Sequence, residues 1–205
     1  MLIDQHAIAQ QEKRYRVNFI NSLSGLKTAW LVGSRSPQGE DNLALFSSIV
    51  HLGADPALIG MVSRPDVVPR GTLDNIRSSG VYTLSLATEE FYRQAHQTSA
   101  RYLPGESEFV ATGLTAQTQA GFAAPHVAQS PLAIGMALRQ IVDIELNNTH
   151  FIIGEVQWVD VPQGAIAGDG LVNAGALQPA LVGGLDYYHR AVALQRLPYA
   201  KRPQG

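Results

Sequence analysis

Apolar positions fall into short runs broken by polar turn signals, a spacing that predicts strands rather than long helices. KTAWLVGS, residues 27–34, predicts the first strand. The polar stretch 35–41, with Pro37 and Gly39, predicts a hairpin connection to a second strand over 42–50. ALIGMVS, residues 57–63, predicts a third, in which Gly60 marks a bend or the close approach of another group. Thr72 then reads as the N-cap of a short helix, with Asn75 three residues on and Gly80 as its stop. VYTLSLA, residues 81–87, returns to strand. Thr88 reads as the cap of a second helix, EEFYRQAHQ, where the dipole explains the paired acids Glu89 and Glu90 and where Phe91 and Ala95 pack inward. Residues 106–111 predict one more helical turn, and 112–130 a loop with one short strand. The clearest alternation is MALRQIVDIEL, residues 136–146: Met136, Leu138, Val142, Ile144 and Leu146 share one face, and Arg139, Asp143 and Glu145 the other. HFIIGEVQWVDV, residues 150–161, follows an Asn147–Asn148 turn and completes a hairpin.

Six or seven strands in hairpins with two or three short helices inserted predict a mainly β fold, an antiparallel closed or split barrel. Nothing has the regular alternation of a doubly wound sheet. The length of 205 residues fits one domain around one core. Hydrophobic residues at 45% and charged residues at 16% exclude a disordered chain. A net charge of −2 with scattered basic residues gives no surface for nucleic acid. The absence of cysteine excludes disulfides, thiolate metal sites and thiol catalysis. The N-terminus lacks the pattern of a signal peptide, and no apolar run approaches the roughly 18 residues of a membrane span, so a cytoplasmic protein without a membrane partner is expected.

The chemistry concentrates between residues 41 and 76. Ser47 and Ser48 end an apolar strand and can donate to a phosphate or a polyol chain. The loop SRPDVVPRG carries Arg64 and Arg70 and leads into the helix at Thr72. A helix N-terminus beside an arginine suits an anion; the alternative is a strand-end serine pair and a solvated arginine. Rival sites have less behind them. The six histidines, at 6, 51, 96, 126, 150 and 189, show no metal-ligand spacing, and His51 and His150 read as structural or site-edge residues. No GxSxG elbow supports a serine hydrolase. GAIAGDG, residues 164–170, does not fit a dinucleotide fingerprint and reads as a turn at Asp169–Gly170.

NSLSGLK (21–27), NLALFSSIVHLGADPALIG (42–60), SRPDVVPRGTLDNI (63–76), HQTSARY (96–102) with SEF (107–109), IIGEV (152–156) and GGLDYY (183–188) occur in this order. Each is weak alone. The ordered set, over residues 16–189, resembles the flavin reductase-like, FMN-binding split-barrel family, which includes flavoredoxin-type proteins. The resemblance implies an FMN-binding split barrel, with FMN at a homodimer interface and hydride or electron transfer from NAD(P)H. It places Asn42, Ala44, Phe46, Ser47 and Ser48 along the flavin, with Ala44 small enough for the ring to approach the backbone. Arg70 and Thr72 match phosphate-contacting positions, and Tyr188, next to a second aromatic at Tyr187, matches one that closes over the site. Gly71 departs from the larger polar residue that relatives often carry there. No catalytic base is implied. The alternative within the same resemblance is an FMN-binding electron-transfer protein, docking a redox partner protein without NAD(P)H turnover of its own.

Overall fold

The computed structural model describes residues 1–65, 71–103 and 105–202. The chain opens with helices α1 (Gln5–Gln10) and α2 (Lys13–Leu23), followed by β1 (Leu26–Thr28), β2 (Trp30–Arg35), β3 (Asp41–Phe46), β4 (Ile49–Ala54) and β5 (Ala57–Ser63). Next come α3 (Gly71–Ser79), β6 (Val81–Leu86), α4 (Tyr92–Gln97), α5 (Glu108–Thr112) and the short β7 (Ala116–Gln117) and β8 (His126–Val127). The long β9 (Ala133–Ile144) and β10 (Thr149–Asp160) precede two 3₁₀ turns, then β11 (Ala180–Gly183) and β12 (Tyr187–Arg190).

Seven strands form one antiparallel sheet in the order β3-β2-β6-β9-β10-β5-β4. Its two edges, β3 and β4, are consecutive in the chain and joined only by Ser47 and Ser48. A flat sheet would hold those edges about 29 Å apart at about 4.8 Å per strand. The chain from Phe46 to Ile49 reaches about 11 Å at most. The sheet therefore curls until its edges come together at this end, and the Val62 N–H of β5 donates to the Ser48 carbonyl at 2.9 Å, which fixes the linker beside β4. β3 and β4 do not pair with each other, so the seam stays open and the barrel is split. A second sheet, β1-β11-β12, and the β7-β8 pair lie outside it.

Val32, Met61, Leu73, Ile76, Tyr82, Leu84, Met136 and Ile152 fill one buried cluster. Alternation along β2 and β3 sends Leu31 and Leu43 to the opposite face, into a second cluster with Phe91, Phe109, Val127 and Val182. Gly60 has the close approach expected of it: a Cβ there would overlap the Phe151 ring. Gly80, at φ +70°, stops α3, its N–H donating to the Ile76 carbonyl.

Several local expectations are corrected by distant pairing. The 27–34 strand breaks at Ala29, whose N–H donates to Ala180 and whose carbonyl accepts from Ala87, so the chain passes there from the small sheet to the barrel. The 42–50 strand breaks at the two serines, where the chain crosses the seam. Thr72 lies inside the first turn of α3 rather than capping it. Thr88 caps nothing. It bridges to Pro179, and the Glu89 N–H donates to Gln178 at 3.0 Å, so the helix waits until Tyr92. Glu89 answers Arg190 at 2.8 Å instead of a helix dipole. The alternation of β9 fails halfway. Ile153 opposes Gln140 while Gly154 opposes Leu138, leaving Arg139 as a bulge. One inserted residue flips the faces beyond it, so Ile141 joins the barrel cluster while Val142 is 39% exposed and Leu146 sits in the turn, exposed. Residues 112–130 hold two short strands, β7 and β8, paired with each other.

Candidate functional site

The start of α3 is fixed by a small buried polar network. Asn42 on β3 donates from Nδ2 to the Thr72 hydroxyl at 2.9 Å and to the Ser34 hydroxyl at 3.3 Å. Asn75, one helical turn after Thr72, donates to the same Ser34 hydroxyl at 3.2 Å. Ser34, Thr72 and Asn75 are all buried, so these bonds replace water. Gly71 acquires a physical reason here: a Cβ there would lie 2.9 Å from Asn42 Oδ1 and press on the amide that holds Thr72. Arg70, the other expected anion contact, lies outside the described residues.

Ala44 and Phe46 follow Asn42 along the same face of β3. Ala44 stands opposite Val32, and Phe46 packs against the barrel cluster. At the seam Ser47 is half-buried and Ser48 exposed. Among the described residues neither hydroxyl has a hydrogen-bond partner. The open edge of β3 is partly occupied: the Leu43 N–H donates to Glu108 Oε2 at 3.0 Å from the first turn of α5. Burial pushes the Glu108 carboxyl above its ordinary pKa, with the Leu43 hydrogen bond acting in the other direction.

The structure thus gathers Asn42 and Thr72 and leaves Ala44, Phe46, Ser47 and Ser48 along the strand that leads from them to the seam. It does not bring Tyr188 to this group. Tyr188 packs with Leu45 and Tyr92 against the cluster on the other face of β3, its ring 5.2 Å from that of Tyr92 and its hydroxyl 3.1 Å from His96 Nδ1. Burial, with the nearby Asp186 charge, pushes its hydroxyl up to about 12. Tyr187 is exposed, and its ring lies tilted against that of His189, 4.3 Å between centroids. Elsewhere, His150 Nδ1 lies 2.7 Å from Asp143 Oδ1, beside an open cavity of about 440 Å³ that Pro65 and Thr149 also line. Among the described residues no three His, Asp or Glu side chains gather as metal ligands, and no helix is long and apolar enough to cross a membrane.

Ser34 was not legible as an anchor residue, since a lone serine ending WLVGS has no distinguishing local pattern, and Asn75 was legible only as the third residue after an expected cap, not as a partner of Ser34. Glu108 had a weak signal in the SEF motif and His96 in HQTSARY.

The flavin reductase like domain family model matches residues 26–189. A candidate flavin reductase with a split barrel domain from Shewanella frigidimarina superposes with a TM-score of 0.94 at 44% identity, covering 98% of this chain and 100% of that one. The flavoredoxin of Desulfovibrio vulgaris (Miyazaki F) shares the fold at a TM-score of 0.74 and 21% identity, over 86% of this chain and 92% of that one. An uncharacterized protein of Deinococcus radiodurans is 29% identical over 135 residues, 62% of this chain, and the match spans 58% of that relative's length. With the matched domain running from Leu26 in β1 to His189 in β12 and the barrel superposing over nearly the whole of a close relative, the chain belongs to the flavin reductase-like family.

Proposed function

We propose that the chain, as a single domain with short extensions, binds FMN in a homodimer and passes hydride or electrons from NAD(P)H to flavin or another acceptor. The observation that carries this reading is the preset start of α3, with Thr72 held by Asn42 and two serine hydroxyls, unpartnered among the described residues, on the strand end that leads away from it. The donor set suits a flavin nucleotide. α3 has nine residues, and its first turn offers free backbone N–H groups and a partial positive charge to a phosphate. The Thr72 hydroxyl already accepts from Asn42, which leaves its own O–H to donate outward. Arg70 adds a charge-assisted contact. Ser47 and Ser48 take the ribityl chain, Ala44 gives the ring close access to the strand, and Phe46 lines it. Asn42 acts by positioning Thr72. Tyr188, separated from this group by β3 within one chain, closes over a flavin in the dimer.

Bound FMN would supply the redox chemistry, while the protein binds, orients and shields it. No side chain is assigned as an acid or base. The test is the absorbance of the purified protein, followed without oxygen after adding NADH and then NADPH. Flavin bands that bleach quickly support the oxidoreductase and identify its donor. Bands that persist with both donors favour an electron-transfer protein served by a redox partner. No bands, even after incubation with FMN, would remove the cofactor assignment.

A further inference from the structure

Both ends of the chain leave apolar surface uncovered. α2 buries none of its residues and holds Tyr15, Val17, Ile20 and Leu23 at 40–62% exposure. Between α2 and the β11–β12 turn runs a groove of about 620 Å³, walled by Tyr15, Phe19, Leu26, Leu185 and Tyr187. At the other terminus, residues 191–202 leave β12 without helix or strand. Seven of these twelve residues are apolar, and Val192, Leu194, Leu197 and Tyr199 are 72–97% exposed. A segment that stays solvated carries few such side chains. Uncovered apolar surface of this kind marks an interface.

The arm does not fill the groove of its own chain. Arg190, at its root, pairs with Glu89, and Arg196 pairs with Asp169. No arm residue lines the groove. The Arg196–Asp169 pair is exposed on both sides and its release costs little, and with it released the twelve extended residues reach about 40 Å, enough to cross to a neighbouring molecule. The arm has three basic side chains and no acidic one, whereas the groove is lined by Asp186 and by no Lys or Arg, so the two are complementary in charge.

We infer that the arm formed by residues 191–202 of one protomer lies in the groove between α2 and β12 of a second copy, and reciprocally. A two-fold axis makes the exchange closed, each chain giving an arm and receiving one. The inference rests on the homodimer proposed above and adds the segment that holds it together.

The absence of cysteine allows a clean test. In the full chain, Tyr15→Cys with Leu197→Cys should give a covalent dimer on mild oxidation, while either single variant should not. Separately, Leu194→Asp with Leu197→Asp should raise the dimer dissociation constant in sedimentation by at least about ten-thousandfold, the scale of four leucines, two from each arm, returned to water. Neither side chain is buried within the protomer, so the fold is not at stake. Single variants that cross-link by themselves, or a bridge closed within one chain, overturn the inference. A wild-type dimer whose dissociation constant ignores the arm substitutions overturns it and leaves the homodimer standing. A wild-type protein that sediments as a monomer at every concentration overturns both.

Discussion

If Asn42 acts on the flavin phosphate only through Thr72, removing it should matter only while the Thr72 hydroxyl is present. Thr72→Val keeps the shape and deletes the hydroxyl. A hydrogen bond to a charged group is worth about 1.5–3 kcal/mol, so FMN affinity should fall roughly 10- to 150-fold. Asn42→Ala deletes the 2.9 Å bond to Thr72 and the 3.3 Å bond to Ser34, while Ser34 keeps Asn75. Loss of a neutral positioning bond costs about 0.5–1.5 kcal/mol, a two- to tenfold loss of affinity. Folding stability should drop by about 1–2 kcal/mol, because the network it leaves is buried. In the Thr72→Val background, Asn42→Ala should change affinity by less than about twofold, a coupling of about 0.5–1.5 kcal/mol between residues in contact. Titration of flavin fluorescence with the four proteins measures the cycle, and urea unfolding separates the stability loss. Full additivity would refute the argument, since Asn42 would then act on the flavin independently of Thr72.

Three further outcomes follow from burial. The Glu108 carboxyl is pushed up, so the folded chain keeps this proton to higher pH than the unfolded one; the group's contribution is fully present below its ordinary value of 4.5 and declines as the pH rises through the folded pKa. Glu108→Gln, which still accepts from Leu43, should therefore be more stable than wild type at pH 7, with the gap closing toward pH 4 in thermal melts; a constant gap would contradict this. Burial pushes His126 below its ordinary 6.5, with Asp160 opposing weakly. Its unfolded form binds the proton first, so stability is retained above about 6.5 and falls as the pH drops toward the folded pKa. His126→Phe, which keeps the ring against Trp158, should flatten the loss of urea midpoint between pH 7.5 and 5.5, and an equal loss in both proteins would count against it. Gly60→Ala should cost about 1–3 kcal/mol by forcing the Phe151 ring aside; adding Phe151→Leu should recover part of that in chemical denaturation, and no recovery would place the strain elsewhere.

What the sequence revealed and what it hid divide by range. The 57–63 strand and the 147–148 turn were legible because apolar runs and turn residues act on their immediate neighbours. The Thr88 cap failed because its competitor, Pro179, is 91 residues away and takes the backbone before a helix can start. The Arg139 bulge failed for a related reason. Alternation counts positions within one strand, whereas register is set by what β10 presents across the gap. The site shows the same division. Ser47, Ser48 and Thr72 were singled out because hydroxyls at a strand end and a helix start have a local pattern. The Asn42 amide that fixes Thr72 acts across 30 residues, and Ser34 becomes an anchor only when β2 brings it beneath both asparagines. An ordered set of individually weak motifs compensated for this, because each motif comes from a different strand or loop and their order records the fold that joins them. Motif order and packing differ in what they say of a residue's role. A motif order can place Tyr188 in the family's scheme, but only packing shows that β3 stands between it and Thr72, so that Tyr188 can join the proposed site only if the proposed homodimer brings it there from a second protomer.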